Sequence, residues 1–170
     1  MHPDIEKRWN GVEERRVALV KRVEGLSGPD QITRPKAGSF SPAEMIMHMA
    51  LAERWNVGMM KKSPPPSLKG RKVKHGIFWD KTLETMRHPS GEVRTMPQMT
   101  PKGQVHLKDA EKAWEDVRKE MRVYFAQCET PDSPMLKHMF LIGTLSASDY
   151  LDLLEAHLHY HEVRFPSSGI

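Results

Sequence analysis

The sequence predicts an all-α protein, an up-down four-helix bundle with a long irregular Pro-rich connection between its second and third helices. Three observations predict it. Four long stretches carry apolar residues at three-to-four residue spacing, the period of an amphipathic helix. The composition favours helices: Met (12 residues), Leu, Glu, Lys and Arg are plentiful, whereas Val, Ile, Thr and Tyr are sparse. Strand-like alternation never extends beyond a few residues, and there is no internal repeat.

The first stretch begins near Asp4, a residue type suited to an N-cap. Ile5, Trp9, Val12, Leu19, Val23 and Leu26 form its stripe, with Arg16 a charged exception, and Ser27-Gly28-Pro29 ends it. The second has the strongest start signal in the chain. Ser41 at N-cap, Pro42 at N1 and Glu44 at N3 spell a capping box, and the helix runs to about Met60. Ser63-Pro64-Pro65-Pro66-Ser67 then forbids continuation. Across 63–104, a short helix is expected near 76–87 around Ile77, Phe78, Trp79 and Leu83. Pro89, Gly91, Pro97, Pro101 and Gly103 make the remainder a loop. The third long helix is expected over 107–127, with Leu107, Ala110, Trp114, Val117, Met121 and Tyr124 on one face, and Thr130-Pro131-Asp132-Ser133-Pro134 breaks it. The last starts at Ser146, with Asp149 at N3, and ends before Pro166. Residues 1–166 read as one domain and 167–170 as a short tail.

At 170 residues the chain is long enough to bury a core without staples. Hydrophobic residues make up 38% and charged residues 28%, which excludes wholesale disorder. A lone cysteine, Cys128, rules out an internal disulfide and a Cys-based structural zinc site. It follows a helix end with no His nearby in sequence, so a nucleophilic role is not expected. The N-terminus carries acids and has no apolar h-region, and no stretch approaches membrane-span length. The expectation is a cytoplasmic protein without membrane contact. Net charge is +4, with pI near 9.2. Lys61, Lys62, Lys69, Arg71, Lys72 and Lys74 form a basic run without interleaved aromatics, read as a solvated loop ahead of a nucleic-acid patch.

The nine histidines are more informative. Helical residues advance about 100° each, so His157 and His161 lie one turn apart on the face that Tyr150, Leu153, Leu154 and Phe165 turn inward. His159 falls on the opposite side and is expected to face solvent. Two imidazoles at i and i+4 can reach one metal ion, yet HxxxH alone is a weak signal, because a buried His can equally be satisfied by backbone or carboxylate partners. His48, two turns into the second helix beside Met45, Met49 and Ala52, offers a third inward imidazole. Its competing reading is a boundary His paired with a neighbouring carboxylate.

Phe40-Ser41-Pro42-Ala43-Glu44 with His48, and Gly143-Thr144-Leu145-Ser146 leading to His157 and His161, resemble the DinB/YfiT-like four-helix bundle proteins. The resemblance spans nearly the whole chain. It implies a divalent metal held by His48, His157 and His161, and a homodimer. His138-Met139 stands where relatives often have His-Pro, and Tyr160 where an Arg often precedes the final His. Both departures fall where substrate contacts would be.

Three neutral imidazoles leave coordination positions open, which points to ligand binding or catalysis rather than a closed structural site. An all-nitrogen set suits zinc or nickel, with iron and manganese as alternatives. The resemblance implies chemistry on a small molecule: S-transfer with a low-molecular-weight thiol, or hydrolysis. The competing functions are a non-catalytic metal-binding or stress-response protein and a basic helical module for nucleic acid. Glu44 and Glu53 are candidate partners for orienting a ligand imidazole, although as helix-surface carboxylates they are expected to be solvated. Tyr160 and His138 are candidate substrate contacts, and Trp55 and Trp79 candidate cavity walls.

Overall fold

Helix α1 (Pro3–Glu24) takes its cap two residues earlier than the expected Asp4. In the computed structural model, which describes residues 1–63, 72–90, 95–137 and 142–165, His2 is the N-cap and its Nδ1 accepts the Asp4 N–H at 3.3 Å. Asp4 lies in the first turn, where a carboxylate suits the positive end of the helix dipole. The expected stripe of Ile5, Trp9, Val12, Leu19 and Val23 is buried, and so is Arg16. Arg16 is accommodated because its Nε donates to Glu13 at 3.1 Å and its guanidinium lies 5.7 Å over the Trp114 ring.

Ser27-Gly28-Pro29 ends α1 but also starts α2 (Gly28–Ile32), which the sequence reading missed. Ser27 caps it, and Pro29 falls in its first turn, where Pro is favoured. Helix α3 (Pro42–Lys61) begins at the expected capping box, with Glu44 N–H donating to Ser41 Oγ and Ser41 N–H donating to Glu44 Oε2. The expected short helix is α4 (Trp79–Arg87), and a 3-10 turn follows at Pro97–Met99. Helix α5 (Leu107–Ala126) buries Trp114, Val117 and Met121 as expected. At its end Phe125 is fully buried and Tyr124 only partly, which shifts the inward face by one residue.

The chain is mainly helical, but it also contains a small sheet that the all-α expectation omits. Strands β1 (Lys74–His75), β2 (Pro134–Lys137) and β3 (Gly143–Ser146) pair antiparallel in the order β1-β3-β2. They are too short to register as alternation. Gly143 makes the pairing possible. Its φ is +96°, and a Cβ there would collide with the Lys74 carbonyl oxygen and the Gly76 nitrogen.

Strand β3 runs straight into α6 (Ala147–Glu162), capped by the expected Ser146–Asp149 box. Ala147 N–H donates to the Ser133 carbonyl and Ser148 N–H to the Pro131 carbonyl, which anchors the start of α6 on the preceding turn. Arg8 and Arg15 of α1 reach Asp152, Glu155 and Glu162 along α6. The core is shared by α1, α3, α5 and α6, with α3 packed most extensively on α5. Among the described residues no helix is long and apolar enough to cross a membrane. Most of the basic run, 64–71, lies outside the described residues, and Lys61 is paired with Glu120 at 2.9 Å.

Beneath α3, the Arg118 side chain of α5 is buried, donating from Nη2 to Glu53 at 2.5 Å and facing Glu13 at 3.1 Å. Trp9 and Trp114 flank the guanidinium at 5.3 and 5.8 Å. Glu53 is therefore a core residue of an ion network, not the solvated carboxylate expected from its helix position. Burial raises its proton affinity, and the Arg118 charge opposes that shift.

Candidate metal centre

The two capping boxes fix where α3 and α6 begin, and hence which residues fall on their facing turns. His48 projects from the second turn of α3, while His157 and His161 project one turn apart from α6. The ring Nε2 atoms of His48 and His157 are 3.3 Å apart, and those of His157 and His161 are 3.1 Å apart. One nitrogen from each of the three lies within 4.8 Å of the other two. His159 stands outside this cluster, and it is half-buried rather than facing solvent, because α6 is covered on most of its circumference.

The tautomer of His48 follows from its second contact. Its Nδ1 is 2.9 Å from the Met99 carbonyl oxygen, which can only accept, so Nδ1 carries the proton and Nε2 presents its lone pair to the other two rings. A carbonyl on the far nitrogen is the usual outer partner of a metal-binding His. Phe40 stacks on the same ring, with centroids 5.1 Å apart and planes 29° apart. The His48 ring is thus held on one edge and one face.

Burial keeps all three imidazoles neutral, the form that ligates metals. Desolvation lowers His48, opposed by its bond to Met99. His157 is pushed down to about 3 by desolvation, with smaller contributions from His48 and the Arg118 guanidinium. Desolvation also takes His161 well below the usual range, helped by the two other imidazoles and by Arg164.

These residues fit a divalent ion. At metal–nitrogen distances of about 2.0–2.1 Å, tetrahedral or octahedral angles place adjacent ligand nitrogens roughly 2.8–3.4 Å apart. The 3.1 and 3.3 Å separations fall in that interval. Without a cation, three inward nitrogens on buried neutral rings have too few protons to satisfy one another.

His161 also lies in the wall of an open cleft of about 1050 Å³, together with Phe40, Met45, Tyr160, Arg164 and Lys36. Tyr160 is therefore near the cluster, buried and packed edge-on to His161 at 5.1 Å between centroids. Glu44 is buried, not solvated, but its carboxylate is taken by the Ser41 N–H and by Arg34 at 2.5 and 2.8 Å. Arg34 is the main cause of the lowered Glu44 proton affinity. Glu53 is committed to Arg118. Trp55 is half-buried on α3 and absent from the cleft lining, and Trp79 stacks on His75 instead. His138 lies outside the described residues. Cys128 is buried and its thiol is pushed up to about 11 by desolvation, which leaves no thiolate near neutral pH.

Three contributors escaped the sequence reading of roles. The Met99 carbonyl has no side-chain signature. Phe40 and Arg164 each had a positional cue: Phe40 directly precedes the α3 cap, and Arg164 lies one turn beyond His161.

No curated protein and no solved structure matches the chain. The family model described as DinB superfamily matches residues 12–162, a span that includes α3, α6 and all three clustered histidines. The chain belongs to the DinB superfamily.

Proposed function

We propose that this chain is a metal-dependent enzyme acting on a small molecule, with a divalent ion held by His48, His157 and His161. The observation that carries the reading is the convergence of three Nε2 atoms, two pairs of them 3.1 and 3.3 Å apart, beside an open cleft. Zinc or nickel suits the all-nitrogen set best, with iron and manganese as alternatives. A bound ion would supply Lewis acidity toward a thiol, a water molecule or a carbonyl oxygen. The chain's own residues do the rest. Met99 and Phe40 fix the His48 ring, and Arg8 and Arg15 hold α6 against α1. Thiol S-transfer or hydrolysis are the reaction classes this arrangement supports.

A second reading, a metal-binding protein without turnover, draws support from one observation. Among the described lining residues of the cleft there is no carboxylate to serve as a general base. The two readings separate on metal content and rate. Untagged protein is analysed for metals, then holo and chelator-treated protein are compared in mixtures of a low-molecular-weight thiol and an electrophile. Stoichiometric metal with faster conversion by the holo form supports the enzyme. Stoichiometric metal with equal rates supports the binding protein. Absence of metal rejects both.

A further inference from the structure

The three histidines have a buried cation for a neighbour. The Arg118 charge is felt at His157, where it adds to the effects of desolvation and of His48. The other guanidinium that acts on the cluster, Arg164, reaches His161 from an exposed position just past α6. Water and salt screen an exposed charge, but Arg118 is 2% exposed and is screened little. A fixed positive charge inside the bundle opposes a divalent ion for the same reason that it opposes a proton.

Two acids answer Arg118, and they are not equivalent. Glu53 accepts from Nη2 at 2.5 Å, and Glu13 lies 3.1 Å from Nη1. The Glu13 side chain is 26% exposed and also serves Arg16, whereas Glu53 is 1% exposed and is held by Arg118. Trp9 and Trp114 cover the guanidinium, so the Arg118–Glu53 pair sits among rings rather than water. Glu53 also shares α3 with His48, five residues on, which is about 7.5 Å along the helix axis. Tyr150, two turns before His157 on α6, feels Glu53 and Arg118 with opposite signs, so both charges reach the side of α6 that carries His157.

We propose that Glu53 is a positioning residue of the metal centre: its carboxylate, fixed on Arg118, cancels a buried cation that would otherwise repel a divalent ion at His48, His157 and His161. This role presupposes the metal centre proposed above. It gives the pair a task that a hydrophobic core could not perform, because an apolar residue in place of Glu53 would leave the Arg118 charge facing the ion.

The test is zinc affinity of the full chain, measured by competition with a chromophoric chelator, with circular dichroism to confirm the fold of each variant. Glu53→Gln is expected to weaken zinc binding about tenfold, because the Arg118 charge is then uncompensated. Glu53→Asp, which keeps the charge, should recover most of that loss. Arg118→Met should bind zinc at least as tightly as the wild type, since the repelling charge is gone. Glu53→Gln/Arg118→Met should return to within about threefold of the wild type. Equal weakening by Glu53→Gln and Arg118→Met overturns the proposal, because a loosened core would weaken both. Zinc affinity unchanged by Glu53→Gln overturns it too. Where Arg118→Met does not fold, the contrast between Glu53→Gln and Glu53→Asp decides, and equal loss in those two overturns the proposal. A wild-type chain that takes no zinc rejects the metal centre and this role together, whereas stoichiometric zinc with affinity indifferent to Glu53→Gln rejects this role alone.

Discussion

Nδ1 of His48 donates to the Met99 carbonyl oxygen at 2.9 Å, tying an α3 side chain to the 3-10 turn 51 residues later. This one bond selects the tautomer that turns Nε2 toward His157. It also makes the Pro97–Met99 turn part of the candidate metal centre, through a backbone atom. Because the partner is a backbone atom, the turn's conformation matters more than its residue types.

Loosening that turn should weaken metal binding without removing a ligand. Pro97 fixes φ at the first position of the turn. Pro97→Gly is expected to lower zinc affinity by up to about tenfold, the lower end of what loss of an outer hydrogen-bond partner costs a metal site. Competition with a chromophoric chelator measures it. Unchanged affinity would mean that His48 is oriented by Phe40 alone.

The histidine assignment has a sharper check. His157 contributes the nitrogen shared by both short separations, and His159, two residues on, contributes none. His157→Ala is expected to abolish stoichiometric metal, while His159→Ala retains it. Elemental analysis of the two purified variants decides the matter, and equal metal in both would contradict the placement of α6.

Much of this site could be read before any coordinates. The capping boxes at Ser41/Glu44 and Ser146/Asp149 are local, side-chain-encoded signals, and both occur as expected. They set the phase of α3 and α6, so the inward placement of His48, His157 and His161 followed from spacing. What escaped was encoded non-locally. Burial of Glu53 depends on Arg118, 65 residues away, and a helix pattern cannot show that partner. The sheet uses strands of two to four residues, below the length at which alternation is visible. Helix α2 was hidden because Ser27-Gly28-Pro29 reads equally as a stop and a start. The Met99 carbonyl carries no sequence signal at all.

Gly143 tests whether the small sheet supports α6. A side chain there meets both a left-handed φ of +96° and the β1 backbone. Gly143→Ala is expected to destabilise the protein by about 2 kcal/mol or more, through strain plus lost β1–β3 pairing. Denaturant titration reads the loss. A change below about 0.5 kcal/mol, the scale of an ordinary surface substitution, would show that the sheet is dispensable to the fold.

The Glu53–Arg118 pair should behave as a buried ion pair. Both side chains are nearly inaccessible, at 1% and 2% exposure, and sit 2.5 Å apart. Removing one partner leaves an uncompensated buried charge, so Arg118→Met is expected to cost about 3–5 kcal/mol. The double variant Glu53→Leu/Arg118→Met should recover a substantial part of that loss, because desolvation of both charges disappears together. Glu13 stays behind beside the vacated guanidinium position, which limits the recovery. Additive losses in the double-mutant cycle would show that the two side chains are energetically independent.

The three neutral imidazoles also dictate a pH dependence. Each has a folded-state pKa below its value in the unfolded chain, where an imidazole titrates near about 6.5. Below that pH the unfolded state binds more protons than the folded state, so stability falls as pH falls. Above about 7 both states are deprotonated at these positions, and the contribution is fully present. For His157 the penalty keeps growing down to a pH of about 3, where the folded ring also protonates. Each fully titrating imidazole contributes a slope of about 1.4 kcal/mol per pH unit inside its window. Metal-free protein should therefore lose stability steeply between pH 6.5 and 4.5, before most carboxylates titrate. His157→Gln should flatten the slope by up to one proton's worth. Saturating zinc should raise stability at pH 7 and lose that advantage on acidification, as protons compete for the same nitrogens. Urea titrations at pH 7, 6 and 5, with and without zinc, measure all three effects. A slope unchanged by His157→Gln would mean that this ring is already solvated and protonated in the folded protein.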